Sequence, residues 1–274
     1  MTRINWGPVL EAAEGIVYSY DTGVTLRQLH YQLVSRPELG YPNTQNAYKQ
    51  LSSRTAEKRR AGDFPRLVDQ NRKIHQPGSF TSPLAAVSWL SRSYRLDRTD
   101  GQEYNVYIGA EKNGLVNQLT SWFDQRGIAV LALGGYAGQS YVDDVVDHVD
   151  TDGRPSVLLY AGDFDPSGED ILRDFGERVG VFDEIVRVAL NADQVTQYRL
   201  PPMPGKSTDS RAAGFTARHG RLVQVEVDAL SPDDLRSLLE AELEQFWDTS
   251  AFEAVLAREQ DHLAALRSAV EAVA

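Results

Sequence analysis

The chain of 274 residues contains no cysteine. Disulfides and thiolate metal sites are therefore excluded, and a reducing cytoplasm is the expected setting. Histidine occurs only 5 times, at scattered positions, which argues against a structural zinc site. Any metal must then be held mainly by oxygen, which favours Mg²⁺ or Mn²⁺. No apolar run approaches the roughly 18 residues that would cross a bilayer, so no membrane span is expected. The start, Met1-Thr2-Arg3-Ile4-Asn5-Trp6, lacks the charged-then-apolar pattern of a secretory leader. An ATP-binding Gly-rich loop is missing as well. There is no internal repeat and no long low-complexity tract. Positive charge is in deficit overall, with a net charge of −11, but unevenly so. Residues 1–98 carry 14 Lys and Arg against 8 Asp and Glu, whereas residues 99–274 carry 14 against 31. A basic first part joined to an acidic second part suits a nucleic-acid-binding module beside a metal-coordinating one.

The most informative stretch runs from Leu158 to Gly168, Leu-Leu-Tyr-Ala-Gly-Asp-Phe-Asp-Pro-Ser-Gly. Val157 to Tyr160 reads as a buried strand, and two acids, Asp163 and Asp165, follow it. Pro166 stands where a helix can begin without losing an N–H. Ile171, Leu172, Phe175 and Val179 then keep helical spacing. Carboxylates placed there project into the crevice where open α/β sheets bind ligands, and adjacent acids call for a cation between them. Two similar units lie upstream. Tyr104 to Ile108 is a strand followed by Gly-Ala-Glu111-Lys112-Asn-Gly and a helix. Ile128 to Leu133 is another, followed by Gly134-Gly135 and a helix over Tyr141 to Val149. Helix capping by Asp163 and Asp165, with Glu111 as a helix-start charge, is the other use open to these residues.

One Glu after a first strand and Asp-x-Asp after a third resembles the Toprim domain. The form here, Ala-Glu-Lys-x-Gly-Leu, then Gly-Gly-Tyr, then Asp-x-Asp-Pro-x-Gly, is similar to the A subunit of type IIB topoisomerases (topoisomerase VI) and the related meiotic double-strand-break protein. Val225-Glu226-Val227-Asp228-Ala229-Leu230-Ser231-Pro232 adds to the likeness, which spans about Thr25 to Leu243. The resemblance implies that Glu111, Asp163 and Asp165 bind metal, with Lys112 beside them in the catalytic motif. Glu226 and Asp228 read either as support for that site or, by preference, as exposed strand residues. A haloacid dehalogenase-type phosphatase also uses Asp-x-Asp after a strand. That family places its nucleophilic Asp in the first core strand, however, and takes Thr or Val where Ser167 stands.

In the basic part, Thr25 to Arg36 reads as a helix capped by Thr25 or Thr22, with Leu26, Leu29, Leu33 and Val34 on its apolar face and His30 among them. Arg27 and Tyr31, four apart, stack on its flank. A phenol beside a guanidinium is what a transesterifying nuclease needs. Arg27-Gln28-Leu29-His30-Tyr31 resembles the Arg-Asp-x-Tyr/Phe-Tyr motif of the topoisomerase winged-helix domain, with Tyr31 at the attacking position. Gln28 in place of the acid and His30 in place of the first aromatic depart from it. Asn46 to Arg60 is a second helix, with Asn46, Gln50, Arg54 and Lys58 on one ridge and Lys49, Arg59 and Arg60 adding charge. These, with Arg66, Arg72 and Lys73, suit DNA contacts, although a plain solvated basic helix has the same pattern.

The expectation is an α/β protein in three parts: a winged-helix or helix-turn-helix module over 1–80, a Toprim domain over 81–230, and a helical segment over 231–274. Leu200 to Gly220 reads as a surface loop, and Leu222 to Val227 as a strand. The expected activity is Mg²⁺-dependent DNA cleavage by a homodimer in the cytoplasm, at the nucleoid. The attack comes from Tyr31 or from a metal-activated water, and the two motif departures tip the balance toward water. A topoisomerase would need a separate ATPase subunit. A non-catalytic DNA-binding or assembly protein with a degenerate Toprim domain is the alternative.

Overall fold

The structure, a computed structural model, describes residues 4–21, 23–69, 77–205 and 208–271. Thr22, Arg72 and Lys73 lie outside the described residues. The first three helices are α1 (Trp6–Tyr18), α2 (Leu26–Val34) and α3 (Gln45–Ala61). They close on their own core of Val9, Ala13, Ile16, Leu29, Leu33 and Leu51, each at most 1% exposed. Thr25 caps α2 in a reciprocal box: its hydroxyl accepts from the Gln28 N–H, and the Gln28 carboxamide oxygen accepts from the Thr25 N–H. Gln28, the residue that departs from the family motif, thus starts its own helix. The only β pairing between this region's described residues is an isolated parallel bridge between Thr25 and Val68.

After α4 (Pro83–Ser93), strands and helices alternate: β1 (Asn105–Ala110), α5 (Asn113–Phe123), β2 (Ala129–Ala132), α6 (Gln139–Asp150), β3 (Ser156–Ala161), α7 (Pro166–Val179) and β4 (Glu184–Ala189). The four strands form one parallel sheet in the order β2-β1-β3-β4. The protein is α/β. Alternation along the strands sorts the core into two layers. Val106, Ile108, Val157 and Leu159 face one layer, and Tyr107, Leu158 and Tyr160 face the other with Val142, Val145 and Phe175. The chain leaves β1 toward β2 and leaves β3 toward β4, in opposite directions. The crevice between the carboxyl ends of β1 and β3 is therefore the switch point of the sheet.

The chain continues through α8 (Ala192–Gln197), β5 (Met203–Pro204), α9 (Ala212–His219), β6 (Val223–Gln224), α10 (Pro232–Leu243) and α11 (Thr249–Glu271). Two expectations are corrected here. The stretch 200–220 is not simply a loop: it carries α9, whose fully buried Phe215 packs on Phe164 at 5.1 Å between ring centres. The strand expected from Leu222 to Val227 shrinks to β6, because Val225 bridges to Phe164 and the backbone then tightens into a 3-10 turn at Val227–Ala229. Leu235, Leu239 and Leu243 of α10 are buried in the same layer as β1 and β3. Helix α11 is fastened to the segment after α4 by Glu259, which takes the Leu96 N–H at 3.0 Å and Arg98 Nη2 at 2.6 Å. Among the described residues no helix is long and apolar enough to cross a membrane.

Candidate active site at the switch point

Glu111 is the first residue past β1, and Asp163 and Asp165 follow β3 in the same crevice. Glu111 Oε2 accepts from the Asp163 N–H at 2.8 Å and from the Tyr160 hydroxyl at 3.3 Å. Gly168 makes this approach possible, since a Cβ there would collide with the Asp163 carbonyl and come within 3.0 Å of Glu111 Oε2. Arg187 locks the loop from behind, donating to the carbonyls of Asp163, Gly162 (3.4 Å) and Leu190 (2.9 Å), with its guanidinium against the Tyr160 ring. An arginine inside the otherwise apolar run Ile185 to Leu190 was the sequence signal for this clamp.

Asp165 takes up the helix-capping use that the sequence left open to it. It is the N-cap of α7, and its Oδ1 accepts from the Gly168 N–H at 2.7 Å. Lys112 stands among the acids, ion-paired to Asp163 and, at 2.6 Å, to Glu226 Oε2. Burial works against its charge, but Asp163 and Glu226 outweigh burial and hold the ammonium above the usual lysine range. Burial, and then Glu111, push Asp163 well above the usual carboxylate range despite Lys112. Burial also raises Glu111. Among the described residues no three acids or histidines converge on one point as a metal cage. The physical reason is that Lys112 takes the position between Asp163 and Glu226 while Asp165 turns one oxygen to its helix.

Glu226 and Asp228, preferred as exposed strand residues, are buried at 8% and 5% exposure. The tight turn at 227–229 carries both side chains inward, where a continued strand would have left them on its open face. Glu226 joins the two halves of the molecule. Its Oε1 accepts from the Tyr31 hydroxyl at 2.9 Å, and its Oε2 takes Arg27 Nη2 at 3.1 Å together with Lys112. Burial alone would raise its carboxyl, but Lys112 and Arg27 hold it below the usual range. Tyr31 is pushed up to about 12, by burial first and Glu226 second. Arg27 lies 5.5 Å from the Tyr31 ring centre, the expected stack. Gln32 completes the joint by donating to the carbonyls of Asp228 (3.0 Å) and Leu230 (2.6 Å). His30 is a buried core residue, accepting from Tyr41 at Nδ1 and donating to Asn43 Oδ1 at 3.1 Å, and burial holds it below the usual histidine range. Asp228 Oδ1 is buried with no hydrogen-bond partner among the described residues, and burial raises its carboxyl to about 6.

A cleft of about 700 Å³ opens over this cluster, lined by Glu111, Lys112, Asp228, Arg27, Arg59 and Gly134-Gly135. Of the basic residues on α3, Lys49, Arg54, Lys58 and Arg60 are exposed, while Arg59 is half-buried and turned to the cleft. Leu51 and Thr55 face inward with no exposure. The structure thus brings together Glu111, Lys112, Asp163, Arg27 and Tyr31, and leaves Lys49, Arg54, Lys58 and Arg60 exposed on two flanks of α3. The chain matches no known family model, and no curated protein matches it.

Proposed function

We propose that the protein is a metal-dependent DNA-cleaving enzyme with a Toprim-like site, served by the amino-terminal helices as a helix-turn-helix-type DNA-binding module. The observation that carries this reading is the cluster of buried acids at the switch point in direct hydrogen-bond contact with Tyr31. A fold has no need to bury Asp163, Glu226 and Asp228 together beside a half-buried Glu111. The unpartnered oxygen of Asp228 and the raised carboxyls of Glu111 and Asp163 mark the cluster as short of cations, and its all-oxygen chemistry fits Mg²⁺ or Mn²⁺. Glu111, Asp163 and Asp165 would hold the ion, beside the Lys112 ammonium that pairs with Asp163 and Glu226. When bound, the ion neutralises charge on the scissile phosphate.

The contact between Tyr31 and Glu226 favours the tyrosine as attacking group over water. Its phenol is neutral at rest, and Glu226 is placed to take the proton as the oxygen bonds to phosphorus. Arg27, in contact with Glu226 and stacked on Tyr31, is placed to offset the charge gathering on the phosphate. The departing sugar oxygen takes its proton from solvent, so one phosphoester replaces another. Supercoiled plasmid incubated with the protein and Mg²⁺ or Mn²⁺, then resolved with and without protease, tests both levels. Linear or nicked product retarded until protease is added is expected. Protein-free ends would transfer the attack to water, and uncut plasmid with either metal would sink the proposal in favour of a DNA-binding or assembly role. A homodimer, two sites for two strands, belongs to the same reading, as does a separate ATPase subunit if strand passage follows cleavage.

A further inference from the structure

A second cavity, of about 1000 Å³, lies at the start of α3, away from the acid cluster. Its floor is the Trp6 indole, held edge-on by Tyr41 at 6.0 Å between ring centres. The Arg54 guanidinium lies over that indole at 4.7 Å from the ring centre and is itself exposed. Asn5, Asn46 and Gln50 stand around the opening, each carrying a carboxamide that both donates and accepts. The chemistry is a flat, cationic stacking platform ringed by paired donors and acceptors, with no carboxylate lining it. A planar heterocycle with hydrogen-bonding edges, attached to an anionic chain, matches each element. A base inside a duplex cannot enter, because its faces are covered by its neighbours.

We propose that this cavity receives an unpaired nucleobase of the DNA substrate, stacked on the Arg54–Trp6 pair and held at its edge by Asn46 and Gln50. The inference rests on the reading of α3 as a DNA-facing helix and adds the substrate class: DNA with a bulge, gap or single-stranded end. Asn46 and Arg59 are 13 positions apart on α3, about 20 Å at the helical rise. Arg59 borders the cleft over the acids, so the unpaired base sits roughly six base pairs from the cut.

The test is fluorescence anisotropy in EDTA, where no cleavage occurs, with three labelled probes. These are a blunt duplex, the same duplex with a three-thymine bulge, and that bulge built from abasic sites. The wild-type protein is expected to bind the thymine bulge about 10-fold tighter than the other two, the worth of one stacked base. Asn46→Ala with Gln50→Ala, both on the helix surface, should reduce that preference, and Trp6→Leu should remove it while binding of the blunt duplex persists. Because Trp6 also packs on the helical core, the abasic probe on wild type supplies the comparison that needs no variant. With Mg²⁺ added, cuts should fall about six base pairs from the bulge. Equal affinity for the thymine and abasic bulges, or cuts unrelated to bulge position, would overturn the proposal. Equal binding of all three probes defeats this inference alone, whereas binding of none defeats the DNA reading of α3 with it.

Discussion

Asp228 gives the sharpest test of how the site is built. It is buried, one oxygen has no partner among the described residues, and its carboxyl is raised from 3.8 to about 6. A raised acid favours its protonated form in the folded chain. Its contribution to stability is therefore intact below about pH 4 and is lost as pH rises through 6. About two pKa units correspond to about 3 kcal/mol of destabilisation by pH 7. Asp228→Asn keeps the shape and removes the ionisation. The variant should be more stable than wild type at pH 7 by about 1–3 kcal/mol, allowing for an imperfectly paired amide. For a chain of this size that raises the melting temperature by about 5 °C. At pH 4 both side chains are neutral and the difference should close. Melting curves by circular dichroism at pH 4, 5, 6 and 7 make the measurement. An Asn variant that melts at or below wild type at pH 7, or a gap unchanged at pH 4, would refute the reasoning.

Glu111→Gln and Asp163→Asn should each abolish plasmid cleavage with the circular dichroism spectrum unchanged, and the thermal shift given by Mg²⁺ in wild type should shrink in both; full activity of the double variant would end the metal-site reading. Tyr31→Phe keeps the ring and loses one hydrogen bond to Glu226, about 1 kcal/mol of stability. Its cleavage should fall to background with DNA binding intact, and an active variant would assign the attack to water. Replacing Lys49, Lys58 and Arg60 together by Ala should weaken DNA binding on all sequences and flatten the salt dependence by about 0.9 per lost phosphate contact, measured by anisotropy between low and high salt. Gly168→Ala forces a Cβ against the Asp163 carbonyl and the Glu111 carboxylate. A loss of about 2 kcal/mol or more is expected in urea melts, and a neutral result would mean that the loop is not held as described.

Much of this was local and so legible in the sequence. Short continuous apolar runs, each followed by Gly or an acid, marked β1, β2 and β3, because a strand covered on both faces of a parallel sheet carries apolar residues at successive positions. Thr25 as a cap, Pro166 and the spacing of Val142, Val145 and Val149 marked helices, because capping and amphipathic faces involve residues within a few positions of one another. Glu111 and Asp163 were placed at one sheet edge by the strand–turn–helix rhythm before any contact was known. What the rhythm could not supply was anything set by residues distant in the chain. Tyr31 and Glu226 are separated by 195 positions, and Lys112 and Asp163 by 51. Whether Glu226 and Asp228 were exposed or buried turned on one 3-10 turn whose backbone bonds replaced a strand's, and α9 looked like a loop because only Phe215 in it is both large and buried. Sequence alone was enough to mark the strand–turn–helix units from β1 to α7 and the acids at their strand ends, since those follow from propensity and period. Only the folded chain shows that Lys112 fills the space between Asp163 and Glu226 and that Tyr31, from another core, reaches the same Glu226. Charges cancel through space, and no pattern along the chain records which side chains will meet.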